Sequence, residues 1–189
     1  MLEFIFGPKN PTLAWQRLAG LALTFDLSKP ALNGVELGRA AENLSWLGRD
    51  EDRTAFRAGE LCYYSLGLCV ECYEDVYTVT GFEIVFRDPE EQKYQSFAGT
   101  VLFHGRPVNL SALTEDKFVA LFGQYFWRDV DEQESILFFE FADVEWQVEF
   151  DRASVLKRVT VTSLPLMADP EQRNAYGVTS AWPPDLRSG

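Results

Sequence analysis

Histidine is nearly absent from this sequence, because His104 is the only one among 189 residues. One histidine leaves no room for both a Ser-His-Asp array and a second histidine that binds a metal. The chain also lacks the Walker A loop, the G-x-G-x-x-G loop, the G-x-S-x-G elbow and the H-E-x-x-H motif. Most hydrolase templates and the common nucleotide-binding loops are therefore excluded, and the sequence disfavours an enzyme.

Cysteine is scarce as well, and Cys62, Cys69 and Cys72 are crowded into one predicted strand region. An odd number in so short a stretch is not a disulfide framework. A zinc site would need a fourth nitrogen or sulfur ligand, and His104 is the only further candidate. Cys69 and Cys72 also have opposite parity in a regular strand. We predict buried small hydrophobic residues, no metal, no cofactor and a reducing, cytoplasmic setting.

Basic residues are outnumbered, with 17 Lys and Arg against 29 Asp and Glu, so that the net charge is −12 at pH 7. Such a charge disfavours binding to nucleic acid or to an anionic membrane. No stretch approaches the ~20 apolar residues of a membrane span, and the N-terminus lacks the basic segment of a secretory signal. We predict no nucleic-acid partner, no membrane association and a protein partner that is basic.

The chain does contain ample material for a core, since 47% of its residues are hydrophobic and 14% are aromatic. One pattern within it occurs twice. Each copy begins with a turn built on glycine, at Asn33-Gly34 and at His104-Gly105. His104 stands where Asn33 stands in the first copy, and this position favours a residue that tolerates positive φ.

After the turn, each copy continues with a short amphipathic segment that ends at a glycine. The apolar spacing predicts a helix over 38–47 that ends at Gly48, and another over 115–122 that ends at Gly123. About three alternating strands follow each helix. A helix on one face of an antiparallel sheet buries such a pattern economically.

The repeat therefore predicts an α+β fold of two tandem related units, each an antiparallel sheet packed against a short helix. One such unit is barely large enough for a core, so both belong to a single compact domain. The predicted parts are an N-terminal extension, the first unit, the second unit and a C-terminal tail: 1–20, 21–87, 97–163 and 164–189.

A family resemblance rests on Trp46-Leu47-Gly48 followed by Tyr63-Tyr64-Ser65-Leu66-Gly67-Leu68. This combination resembles the repeat of the β-lactamase-inhibitor-like α/β fold, which also occurs in small outer-membrane assembly lipoproteins. It is also similar to uncharacterised bacterial domains, some of which are suspected toxin-immunity or inhibitor proteins. The resemblance covers 21–163, although Phe141-Ala142-Asp143 replaces Leu-Gly-Leu in the second copy. It implies a protein-binding surface without an active site; the lipoprotein branch is disfavoured because no lipobox cysteine occurs near the N-terminus.

Acidic and apolar residues alternate strictly from Asp143 to Asp151. A strand there would have one apolar and one polar face: Val144, Trp146, Val148 and Phe150 against Asp143, Glu145, Gln147, Glu149 and Asp151. We call the four acids of the polar face the acidic stripe. It is interpreted as a solvated sheet face, as a docking stripe for a basic partner, or as paired catalytic carboxylates. No acid stands in a visible apolar pocket, which disfavours the third interpretation.

These observations predict a bacterial, non-catalytic protein-binding module of the inhibitor or immunity kind. Its predicted binding residues are the acidic stripe and two aromatic residues: Asp143, Glu145, Glu149, Asp151, Tyr63 and Trp127. The alternative is a small enzyme or ligand-binding domain with a carboxylate-lined cleft between the two units. An assembly role through homodimerisation is a third hypothesis.

Overall fold

Twelve β-strands and two α-helices are the regular elements of the computed structural model, which describes residues 9–73 and 77–183. The strands are β1 (Thr24–Asp26), β2 (Ala31–Leu32), β3 (Val35–Glu36), β4 (Glu60–Tyr63), β5 (Leu68–Tyr73), β6 (Thr78–Val85), β7 (Thr100–Phe103), β8 (Arg106–Val108), β9 (Trp127–Val130), β10 (Glu134–Phe141), β11 (Val144–Asp151) and β12 (Leu156–Thr162). The α-helices are α1 (Glu115–Phe122) and α2 (Pro170–Ala175). Short 3-10 helices cover Pro11–Ala14, Ala41–Leu47, Ala55–Ala58, Tyr64–Leu66 and Leu110–Ala112. In the two described ranges, no helix is both long and apolar enough to cross a membrane.

The strands form two sheets. The smaller has the order β3-β2-β1-β7-β8, in which β1 pairs antiparallel with β2 and parallel with β7. The larger has the order β4-β5-β6-β12-β11-β10-β9, and every pairing in it is antiparallel. The predicted α+β class is confirmed. Both predicted units contribute strands to both sheets, and in the larger sheet they meet at the pairing of β6 with β12.

The two glycine turns connect neighbouring strands of the smaller sheet. Asn33 and His104 have φ angles of 47° and 50°, which lie in the left-handed region. Asn33 Oδ1 also accepts a hydrogen bond from the backbone N–H of Thr24, at 2.6 Å. The prediction that His104 is a turn residue is therefore confirmed.

The two predicted helices differ in the structure. Helix α1 has the predicted bounds and buries Phe118 and Phe122. The segment predicted as a helix over 38–47 is instead a 3-10 helix that begins at Ala41. Its first residues bond with the start of β6, because the N–H of Gly38 donates to Val79 O and the N–H of Val79 donates to the carbonyl of residue 39. Backbone groups used in this way are unavailable to a helix.

The core lies between the two sheets. Phe25 of β1 and Phe82 of β6 meet with ring centroids 5.4 Å apart, and both are fully buried. Phe118 of α1 packs against the rings of Phe139 and Phe150, at 5.6 and 5.9 Å. The buried hydrophobic residues of both predicted units form one continuous cluster. Each unit thus completes the core of the other.

The opposite face of the larger sheet is partly covered by two chain segments. The tail crosses β10 and β11, where Leu166 N–H donates to Glu145 and Arg173 of α2 pairs with Glu140. A loop over 88–97 borders the other half of the face, because Phe97 N–H donates to the carbonyl of Val85. The ends of the predicted extension and tail, 1–8 and 184–189, lie outside the described residues. Between the two covering segments, polar side chains of β4, β5, β6 and β12 remain accessible.

Candidate functional site

Most carboxylates of the acidic stripe form hydrogen bonds or ion pairs with other groups of the same chain. Glu145 is fully buried, and its Oε1 accepts from the backbone N–H of Leu166 and from the side-chain amide of Gln147, at 3.1 and 2.9 Å. Burial raises the pKa of Glu145, although these donors oppose the shift. Asp143, at the turn between β10 and β11, is the exposed member of the stripe.

The other two stripe carboxylates form ion pairs within the chain. Glu149 Oε2 lies 3.1 Å from Nε of Arg158, which stands directly opposite Glu149 on β12. Asp151 Oδ2 lies 2.9 Å from Arg87 Nη1. The acidic stripe is therefore largely neutralised internally and does not form a row of free carboxylates.

The two predicted aromatic binding residues lie far from each other. Tyr63 of β4 is a core residue, only 1% exposed, and its hydroxyl donates to the carbonyl of Gly48 at 3.1 Å. Trp127 of β9 is half-buried against Phe138 and Tyr176. Since β4 and β9 are opposite edges of the larger sheet, the structure does not bring these residues together with the stripe.

A cleft lies on the face of the larger sheet that points away from the core, in the half that the tail does not cover. It has a volume of about 230 Å³ and lies over β4, β5, β6 and β12, beside the loop over 88–97. We call it the acidic cleft, and its lining residues are Asp52, Ala55, Glu60, Cys62, Tyr64, Cys69, Glu71, Glu83, Glu91, Lys93, Tyr94 and Arg158. Arg158 belongs to the second predicted unit and most of the others to the first.

The floor of the acidic cleft is the hairpin of β4 and β5. Cys62 stands directly opposite Cys69 in the register, and Glu60 stands opposite Glu71. Alternation along each strand turns all four side chains toward the cleft. The Cys62 and Cys69 sulfurs are 3.5 Å apart, and their shared hydrogen bond lowers the pKa of Cys62 and raises that of Cys69.

The third cysteine behaves as predicted. Cys72 is buried in the hydrophobic core on the opposite side of the sheet from Cys69, as its parity indicated. The prediction of three buried cysteines is confirmed, but two of the three line a polar cleft. Sequence parity separated Cys69 from Cys72; only the strand pairing brought Cys69 to Cys62.

Glu71 is the carboxylate at the centre of the floor. Its side chain lies over Gly81 of β6, which faces it in the register, and a Cβ at this glycine would collide with the carboxylate. Burial raises the pKa of Glu71 to about 7, with a further contribution from the negative charges of Glu83 and Glu60. Within the described ranges, no basic side chain forms an ion pair with Glu71.

Asp88 positions one wall of the cleft. Its Oδ2 accepts from the backbone N–H groups of Lys93 and Tyr94, at 2.8 and 3.0 Å. Burial opposes ionisation of Asp88, but these donors hold its pKa below the ordinary value. The ring of Tyr94 then packs edge-on against Tyr64, whose hydroxyl donates to Asp52 at 2.5 Å.

The charges of the lining do not balance. Five lining residues are acidic and two are basic: Asp52, Glu60, Glu71, Glu83 and Glu91 against Lys93 and Arg158. Arg158 Nη1 pairs with Glu83 at 3.1 Å, and Lys93 Nζ lies 3.5 Å from Asp52. Burial raises the pKa of Glu83, and Arg158 limits this rise. The excess of negative charge suits a cation.

A second cavity, of about 340 Å³, lies between the turn at His104 and the turn at Asp143. Its walls are mainly apolar, and include Phe103, Phe141 and Trp146. Its lining contains two acids, Asp143 and Glu140, and Glu140 is already paired with Arg173. This cavity therefore lacks the converging polar groups found in the acidic cleft.

Comparison with known proteins found a solved structure that resembles part of this chain. No protein-family model matches the chain, and no curated protein matches it. The crystal structure of a DUF4309 family protein, YjgB from Bacillus subtilis, is similar with a TM-score of 0.47 and 11% sequence identity. The likeness covers 68% of this chain and 82% of that chain. The predicted resemblance to inhibitor-like repeats stays a prediction.

Sequence reasoning missed the floor of the acidic cleft. The signal was present, because Glu60 and Cys62 before the turn at Gly67 have the same parity, as do Cys69 and Glu71 after it. A hairpin centred near Ser65 would have placed these four side chains on one face.

Proposed function

We propose that the chain is a ligand-binding domain that holds a small cation in the acidic cleft. The observation that carries this proposal is the charge of the lining, with five carboxylates against two basic groups. Like charges in a partly enclosed site repel one another more strongly than in open water. A bound cation relieves this repulsion, so the cleft has an electrostatic preference before any specific contact is made.

The shape of the cleft favours a small ligand. Its volume of about 230 Å³ is below the ~300 Å³ of typical drug-sized pockets. Residues of the 3-10 helix Ala55–Ala58 and of the 88–97 loop contribute Ala55, Lys93 and Tyr94 to its lining. A metal ion or a short organic amine therefore fits this cleft better than the surface of another protein would.

This proposal follows the ligand-binding alternative of the sequence analysis. Docking of a basic protein on the acidic stripe receives less support, because Glu149 and Asp151 are paired with arginines and Glu145 is buried. A partner would first have to break those ion pairs.

Isothermal titration calorimetry at low ionic strength tests the proposal, with Zn²⁺, Ca²⁺ and 1,4-diaminobutane as separate ligands. At about pH 8, where Glu71 is largely ionised because its pKa is about 7, we expect at least one of them to bind, and Glu71→Gln to weaken its binding by about tenfold through loss of one nearby charge. Glu132→Gln is the matched control, because Glu132 is an exposed acid at the far edge of the same sheet. Absence of binding by all three cations, or an equal loss in both variants, would refute the proposal.

A further inference from the structure

The two cysteines of the cleft have a separation that suits a shared metal ion. The Cys62 and Cys69 sulfurs lie 3.5 Å apart. Two thiolates bound tetrahedrally to one Zn²⁺, at ~2.3 Å each, stand about 3.8 Å from each other. A shift of a few tenths of an ångström would bring the pair to that spacing, whereas a disulfide requires about 2.05 Å.

A third ligand atom lies beside them. A carboxylate oxygen of Glu60 and the two sulfurs all lie within 4.8 Å of one another. Glu60 and Cys62 are two residues apart on β4, and Cys69 faces Cys62 across the hairpin. The ladder of backbone hydrogen bonds therefore holds all three ligands without help from a flexible loop. Cys62 and Cys69 are 3% and 4% exposed, whereas Glu60 is exposed, so the open side of the triad faces the cleft.

The location of the thiols distinguishes them from ordinary core cysteines. Cys72 shows the ordinary case, since it is packed among apolar side chains of the core. Cys62 and Cys69 instead line a cleft with five acidic groups. Two thiolates would add to that negative charge, which already includes the Glu60 carboxylate, and a divalent cation compensates it. Sulfur ligands select Zn²⁺ or Cu⁺ over the hard ions Ca²⁺ and Mg²⁺.

We propose that Glu60, Cys62 and Cys69 form a binding site for a thiophilic metal ion of the Zn²⁺ class. The fourth coordination position is open to the acidic cleft, as in three-ligand zinc sites that keep room for water or a substrate. This inference rests on the proposed function, since it names the kind of cation and the ligands that hold it.

Cobalt and zinc titrations of the reduced full-length protein test the site under anaerobic conditions. Co²⁺ bound by thiolates produces a charge-transfer band in the near ultraviolet that carboxylate binding alone does not. We expect one equivalent of Co²⁺ to give this band and one equivalent of Zn²⁺ to abolish it by displacement. We expect Cys62→Ser and Cys69→Ser each to weaken Zn²⁺ binding by about 100-fold or more, and Glu60→Gln by about tenfold.

Cys72→Ala is the matched control, because it removes a thiol of the same hairpin from the core face. It should retain the band and the Zn²⁺ affinity. Circular dichroism identifies any variant that fails to fold, and Glu60→Gln gives a second measure at an exposed position. No charge-transfer band in the folded protein, or unchanged Zn²⁺ affinity in the Cys62 and Cys69 variants, overturns the metal site. If 1,4-diaminobutane or Ca²⁺ then still binds, the proposed function stands without it; if no cation binds, both proposals fail.

Discussion

Replacement of Arg173 by methionine should destabilise the protein strongly, because this arginine neutralises a buried carboxylate. Arg173 and the Glu140 side chain are 2% and 5% exposed, and they form an ion pair between α2 and β10. Arg173 also donates to the carbonyls of Met167 and Ser180, at 2.9 and 2.7 Å. Its guanidinium lies 5.0 Å from the ring centre of Phe126. This side chain thus holds α2 on the sheet, together with the hydrogen bond from Leu166 to Glu145.

The expected loss follows from what Arg173→Met leaves behind. A buried carboxylate without its partner costs about 3–5 kcal/mol. Methionine preserves much of the apolar stem and its packing, so little is added by a cavity. For a chain of this size, a loss of about 4 kcal/mol lowers Tm by roughly 8–16 °C. The double variant Arg173→Met with Glu140→Leu removes the uncompensated charge as well, and should recover about half of the loss or more.

Urea denaturation followed by tryptophan fluorescence measures the free energy of unfolding of the wild type, Arg173→Met, Glu140→Leu and the double variant. These four proteins form a double-mutant cycle. A coupling energy of about 2 kcal/mol or more is expected. A cost below about 1 kcal/mol for Arg173→Met, or a double variant destabilised by the sum of its two single changes, would contradict this expectation.

Two further predictions concern the neighbourhood of the cleft. Gly67→Ala should cost more than Gly105→Ala in urea denaturation. Both glycines have positive φ, but a Cβ at residue 67 would lie 2.5 Å from backbone atoms of Gln95 and Phe97, whereas nothing lies within 4 Å at residue 105; equal losses would contradict this. The pKa of Asp88 is lower in the folded protein, so its stabilising contribution is present above the ordinary value of about 3.9 and declines as the pH falls through the folded value. Wild type should therefore be more stable than Asp88→Asn at neutral pH and lose that advantage in acid, and a difference that is independent of pH would argue against this role.

Local patterns predicted much of the secondary structure. Alternation correctly assigned Val144, Trp146, Val148 and Phe150 to the buried face of β11, because side chains of a strand point to opposite faces in turn. Helix α1 and the turns at Asn33 and His104 were likewise predictable, since their signals lie within a few residues. The segment over 38–47 departed from its pattern because its first residues bond to β6, far along the chain.

The candidate site depended on contacts that no local pattern contains. Alternation showed that Glu145 and Glu149 share a face, but not that the tail would bury Glu145 or that Arg158 would stand opposite Glu149. The acidic cleft joins residues from Asp52 to Arg158. The sequence by itself thus determined which apolar and polar side chains of β11 lie on opposite faces of the sheet. The tertiary structure decided which of these polar groups are neutralised and which remain together as a negatively charged cleft, because strand order and the covering segments set every long-range distance between charges.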